Sequence, residues 1–262
     1  MSRARSKRSS VTPAPLLKTK GELEARSKIV ASELAKLLAT TSASLQFHPE
    51  FVSETAVSEL QGAATEMTQA RNRGRSTQVV KLCDFGGCGH AWMSLRERWN
   101  FAEHRGGRPF YVFESAGITV FAGEAGQIDK AQILRAEWAG FTDRGSGASF
   151  QAGSAAHPHW QIDLFETLRG ASNDAVRFGE PPAVQSFSTN ATTLGLREKL
   201  QLAPFERFHF ASAAHWWQRE GEGCDHQHTP SDTDEISRWV LGSVGYVREQ
   251  LEVVARGLSH AS

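Results

Sequence analysis

Apolar and polar positions along the chain fall into three kinds of stretch. Near the start, Leu23, Val30, Leu34, Leu37 and Leu38 recur at three- and four-residue spacing, with Glu22, Glu24, Arg26, Lys28 and Lys36 off the stripe. That is the mark of an amphipathic helix over residues 21–41. Val52, Ala56, Leu60, Ala63, Ala64 and Met67 continue the spacing after Pro49. They predict a second helix to about Arg73, paired with the first as a helical hairpin over 17–73. At the other end, Ile236, Val240, Val244, Val247, Leu251 and Val254 form a stripe of nearly six turns, predicting a helix over 231–257. Ser231 with Asp234 resembles a capping box at its start.

Between these ends the pattern changes to period two, and the sheet core is expected within 77–218. Thr77–Leu82 is a short strand-like run. Residues 91–104 read as a helix, marked by Trp92, Leu95 and Trp99. Pro109–Phe113 and Ile118–Phe121 read as a hairpin turning at Glu114-Ser-Ala-Gly117. In residues 132–141, Leu134 and Trp138 alternate with Arg135 and Glu137, so one strand face is apolar and the other charged. A Gly/Ser turn follows, and residues 149–163 return as a strand that Pro158 confines to an edge. Short links between successive strands predict an antiparallel meander of about four to six strands. The expected fold is a single α+β domain over 17–258, preceded by a disordered basic tail over 1–16.

Composition narrows the function classes. The chain has 262 residues with 29 basic and 29 acidic side chains, and neutrality argues against a protein that coats nucleic acid. Only the tail, with Arg3, Arg5, Lys7 and Arg8, weakly suggests phosphate contact. No run of 18 apolar residues suggests a membrane span, and no secretory signal is evident. Three cysteines argue against a disulfide framework and for a reducing, cytoplasmic setting. Seven tryptophans and 15 phenylalanines against two tyrosines point to aromatics that pack in a core or at a partner.

Two sets of residues carry candidate chemistry. Cys83, Cys88 and His90 lie in one loop, and Cys224, His226 and His228 in another. Thiolate and imidazole suit zinc, and the two loops could close one tetrahedral site. The second set is His157, His159 and His215 at strand ends, with Asp163 or Glu137 as carboxylate partner. His157 and His159 are two apart and share a face of an extended chain. Ser-Ala-Ala-His occurs at 154–157 and again at 212–215. An imidazole pair could provide general acid and base for a hydrolase of nuclease or phosphodiesterase type. The chain holds no nucleophile elbow, no His-Glu-x-x-His and no phosphate-binding glycine loop. The expected function is therefore a non-catalytic binding or scaffold protein with a protein partner, with possible zinc stabilisation. The histidine-dependent hydrolase is the alternative.

Overall fold

A computed structural model describes residues 15–40, 45–62, 68–72, 75–86, 89–139, 159–162 and 230–259. Of the strand expected over 149–163, only 159–162 lies within them. Nearly all of the tail lies outside them.

The first helix, α1, spans Lys20–Leu37. Thr19 caps it: its Oγ1 accepts from the Glu22 amide, while the Glu22 carboxylate accepts from the Thr19 amide at 2.8 Å. These bonds hold the Glu22 carboxyl below its ordinary range, the backbone bond first. A short strand β1, Leu17–Thr19, leads into the helix.

Among the described residues no second helix follows. Its place is taken by strands: β3 (Pro49–Val52), β4 (Thr55–Glu59), β5 (Gln61–Gly62) and β6 (Thr68–Asn72). A two-residue β2, Leu45–Gln46, pairs with β5. A spacing of four residues brings side chains to one face of a strand as well as of a helix. Ala56 and Leu60 are buried in this way, but Ser58 between them is buried too, which hides the alternation.

The same correction applies to 91–104. It is not a helix but the long strand β8, His90–Arg105, after β7 (Arg75–Asp84). Ala91, Met93, Leu95, Glu97 and Trp99 are its buried inner row. The charged Glu97 in that row masked the period of two. Residues 108–123 are likewise one strand, β9 (Arg108–Gly123), and not a hairpin. The turn lies earlier, at Gly106-Gly107, where φ is +56° and +75° and Arg105 faces Arg108. Two positive-φ residues in a two-residue loop match the twist of a hairpin, which only glycine adopts without strain.

Strands β10 (Ala131–Ala139) and β11 (His159–Ile162) complete the sheet. It has nine antiparallel strands with the order β11-β10-β9-β8-β4-β3. The long β8–β9 hairpin is its spine, and each of its strands is flanked twice. β9 pairs with β1 at Phe110–Val112 and with β10 at Ser115–Ala122. β8 pairs with β7 at His90–Met93 and with β4 at Arg96–Asn100, and β6 lies beyond β7. The α+β class and the antiparallel pairing agree with the sequence, while the strands outnumber expectation. Among the described strands β11 pairs with β10 alone.

The second helix, α2 (Thr233–Ser259), packs with α1 on one face of this sheet. Its stripe from Ile236 to Val254 is fully buried, as the spacing predicts. Its cap is shifted by one residue from the expected pair. Asp232 Oδ1 accepts from the Glu235 amide at 2.8 Å, and Glu235 accepts from the Ser231 amide at 2.6 Å. The helices run in the same direction, because Arg26 meets Thr233 and Ser237 while Leu37 meets Gly245 and Arg248. None of the described helices is long and apolar enough to cross a membrane.

Arg26 of α1 fastens the layers. Its Nη1 donates to both Glu97 oxygens, at 2.6 and 2.8 Å, and its Nε donates to Ser237 Oγ at 3.1 Å. Trp99 Nε1 adds a bond to Glu97 Oε1 at 2.6 Å. Both ionic side chains are buried. On the opposite face, Ala70, Val79, Trp92 and Phe121 make a small second cluster. Lys130 closes it, donating to Gln69 O at 2.9 Å and to Gln127 O, with its ammonium 5.3 Å from the centre of the Trp92 ring. Burial pulls the Lys130 ammonium down to about 8, against the opposing charge of Asp129.

Two outcomes follow from these buried charges. Arg26→Met leaves Glu97 charged and unpaired in the core, so equilibrium urea unfolding should show a loss of about 3–5 kcal/mol. Arg26→Met with Glu97→Met should recover most of that loss. For Lys130 the folded pKa lies below the unfolded value, so the unfolded chain binds the extra proton between pH 8 and 10.5. The contribution of this group to stability should therefore rise as pH climbs through that window. Comparing urea midpoints at pH 7.5 and 9.5, the difference should be more favourable in the wild type than in Lys130→Met.

Candidate functional site

The face of the sheet away from α1 and α2 carries the polar positions of the central strands. Ser94 faces Thr119, Thr119 faces Arg135, and Arg135 faces Gln161 across β8, β9, β10 and β11. The next row runs Arg96, Gly117, Glu137, His159. Strand alternation assigns both rows to the side away from α1 and α2, because Leu95, Ile118, Ala136 and Trp138 fill the side toward them. Guanidinium, carboxylate and hydroxyl groups, with an imidazole position, thus meet in a block two rows deep and four strands wide.

Gly117 makes a gap in that block. No described atom lies within 4 Å of where a side chain would begin. A glycine inside a strand, where its backbone needs no special φ, marks a place open to close approach by another group. Around it, Thr119 and Arg135 are only 9% exposed. Arg135 Nη1 lies 3.4 Å from Glu137 Oε1, Arg96 Nε lies 3.2 Å from Glu59 Oε1, and Arg98 pairs with Glu114. The arginines are held by carboxylates on their own or adjacent strands, which lowers the entropy lost when a partner engages them.

Of the expected acid–base set, the register brings His159 opposite Glu137, the alternative carboxylate partner. His157, Asp163 and His215 lie outside the described residues. Gly117, Thr119, Arg96 and Arg135 were not singled out from sequence as a site. The available signal was the lone glycine between strand-forming runs, which reads equally as a turn.

The expected metal donors are placed differently. Cys83 pairs with Ala91 on the inner side and is buried in the main core. Burial pushes its thiol up to about 12, with Glu252 adding to the shift and Arg248 opposing it. Such a thiol has little thiolate for metal binding or nucleophilic attack. His90 instead lies opposite Asp84 on the outer side, with Nδ1 2.9 Å from Asp84 Oδ1 and its ring edge-on to Trp92. Lys81 Nζ approaches the same oxygen to 2.6 Å and, with His90, holds the Asp84 carboxyl below its ordinary range. The structure therefore does not bring Cys83 and His90 together. Cys88, Cys224, His226 and His228 lie outside the described residues. Among the described residues no group of three or more metal-capable side chains assembles.

Comparison with protein-family models, with curated proteins and with solved structures finds no match to this chain. The functional argument accordingly rests on the site.

Cys83 should behave as a packing residue. In the folded protein at pH 8 it should resist iodoacetamide and become alkylated only on unfolding, as followed by peptide mass spectrometry. Cys83→Ala should leave the metal content of the purified protein unchanged by elemental analysis. Rapid alkylation of the native thiol, or loss of a bound metal in the variant, would contradict this placement.

Proposed function

We propose that the protein is a non-catalytic binding or scaffold protein that engages a protein partner through the face of its sheet away from α1 and α2, over Gly117. The observation that carries the reading is the double polar row across β8, β9, β10 and β11 with its gap at Gly117. Arginines of both rows stand beside carboxylates, so the face offers both signs of charge at fixed positions. That suits a polar protein segment better than a nucleic-acid backbone, which needs an excess of positive charge. The unpaired, buried Cys83 supports a reducing, cytoplasmic setting for this binding.

A second reading keeps the histidine-dependent hydrolase. The backbone register that sets position 159 opposite Glu137 supports it, since a carboxylate next to an imidazole would fix its tautomer. Arg96 and Arg135 would then face an anionic transition state. Zinc stabilisation remains a separate proposal, with Cys88, Cys224, His226 and His228 as donors and without Cys83.

Gly117→Val tests the main reading. Its backbone tolerates a β-branched residue, and valine suits a strand, so the melting temperature should hold or rise. A photo-crosslinking side chain at Ser94 should capture a defined protein in the native cell extract, and Gly117→Val should abolish that capture. His159→Ala should leave capture intact on the binding reading. Equal capture by Gly117→Val would refute a partner seated over this gap. Phosphodiesterase turnover lost in His159→Ala would transfer the assignment to the hydrolase.

A further inference from the structure

The layer between β10 and α2 holds polar groups that the rest of the core does not explain. Trp138, Trp239 and Ser243 are fully buried. The Nε1 atoms of both tryptophans and the Ser243 Oγ have no hydrogen-bond partner among the described residues. The other two buried indoles are served: Trp99 donates to Glu97 and Trp92 donates to Gly123 O at 2.8 Å.

The three unserved groups are neighbours. The Trp138 and Trp239 rings meet edge-on with centroids 5.8 Å apart. Ser243 follows Trp239 by four residues, so it stands one turn along the same side of α2. A buried donor left without a partner loses its hydration with nothing in return, and three such losses weigh heavily on a marginally stable fold. Indole nitrogens only donate, whereas a serine hydroxyl both donates and accepts. The serine oxygen accepts from neither indole, so among the described residues both N–H groups are left without an acceptor. The edge-on ring contact can direct one N–H at a π face, a weak bond that serves one indole and leaves the other.

We propose that Trp138, Trp239 and Ser243 form an internal binding site for a single oxygen acceptor, which takes both indole N–H groups and closes onto the serine hydroxyl. This is independent of the polar face around Gly117. Two sources share the chemistry. One is a trapped water, which needs two to four polar partners. The other is the carbonyl or hydroxyl oxygen of a small apolar molecule. Trp160 is paired opposite Ala136 and stacks edge-on with Tyr246 at 5.6 Å. That half-buried aromatic pair continues the same layer toward the β11 edge and would cover the body of such a molecule.

The test uses the full chain labelled with 15N at the tryptophan indoles. Nuclear Overhauser contact from water to both the Trp138 and Trp239 indole protons, at the sign of a long-lived bound molecule, supports the site with water as occupant. Release of a stoichiometric small molecule on denaturing the native complex in the mass spectrometer supports it with a ligand, provided both indole signals shift when the molecule is removed. Ser243→Ala, which changes little volume, should shift both indole signals and lower the melting temperature. Absence of both water contact and small molecule, with Ser243→Ala equally or more stable, overturns the site and leaves the indoles to ring contacts alone.

Discussion

Burying the Arg26–Glu97 pair constrains how the two helices sit on the sheet. An uncompensated charge in the core costs several kcal/mol, so α1 must place Arg26 over the one strand position that carries a carboxylate. The guanidinium also reaches Ser237 Oγ and Thr233 O, so the same side chain fixes the first turn of α2. Trp99, two residues along β8, spends its indole donor on the same carboxylate and brings its ring against Phe113. Hydrophobic stripes alone would let helices slide by a turn with modest loss of contact. A single charged contact shared by α1, α2 and β8 removes that freedom. Its net stabilisation is small by the usual balance of desolvation against attraction, and its value is in choosing one packing.

Alternation along each strand then divides the work between the two faces. The inner rows of β8, β9 and β10 are apolar apart from Glu97, and they receive both helices. The outer rows are polar at the middle and apolar near the β6–β7 side, where Trp92 and Phe121 are covered by Ala70, Val79 and Lys130. Irregularities keep these faces in phase over strands of 16 residues. The register shifts between Arg98 and Trp99, so that Glu114 is the extra residue and Trp99 and Phe113 still meet inside. Extra residues of this kind also increase twist, which long paired strands need in order to wrap two helices.

What the sequence showed depended on whether its spacing fitted only one structure. The stripe of α2 includes three-residue steps, from Val244 to Val247 and from Leu251 to Val254, which no strand puts on one face, and it was read correctly. The strand over Ala131–Ala139 alternates cleanly from Leu134 to Trp138 and was read correctly too. Ala56 and Leu60, four apart, fit both periods, and there the wrong one was chosen. In β8 the true inner row contains Glu97, a charge whose partner is 71 residues earlier, so no local pattern could mark it as buried. Gly106-Gly107 is a legible hairpin turn, but the helix-like spacing over 91–104 and the Gly117 turn signal compete with it for the flanking runs. The site was legible only in part. His159 and Glu137 can be suspected as a pair from the return of a strand, but the row Arg96–Gly117–Glu137–His159 depends on four strand registers at once.

β10 carries both proposals back to back. Glu137 and Arg135 belong to the polar face, and Trp138 points between the helices and the sheet. Neighbours on a strand lie on opposite sides of the backbone, so the two places share a strand without sharing side-chain contacts. The inner one is sealed among Trp239, Ser243 and the buried stripe of α2, where close packing resists small movements. The outer one has a gap at Gly117 and arginines whose partners are surface carboxylates. The difference sets what each can bind. A sealed set of donors selects an oxygen of fixed position and holds it as part of the fold. A polar row on the outer face would select by pattern and exchange its partner, which is the property a binding protein requires.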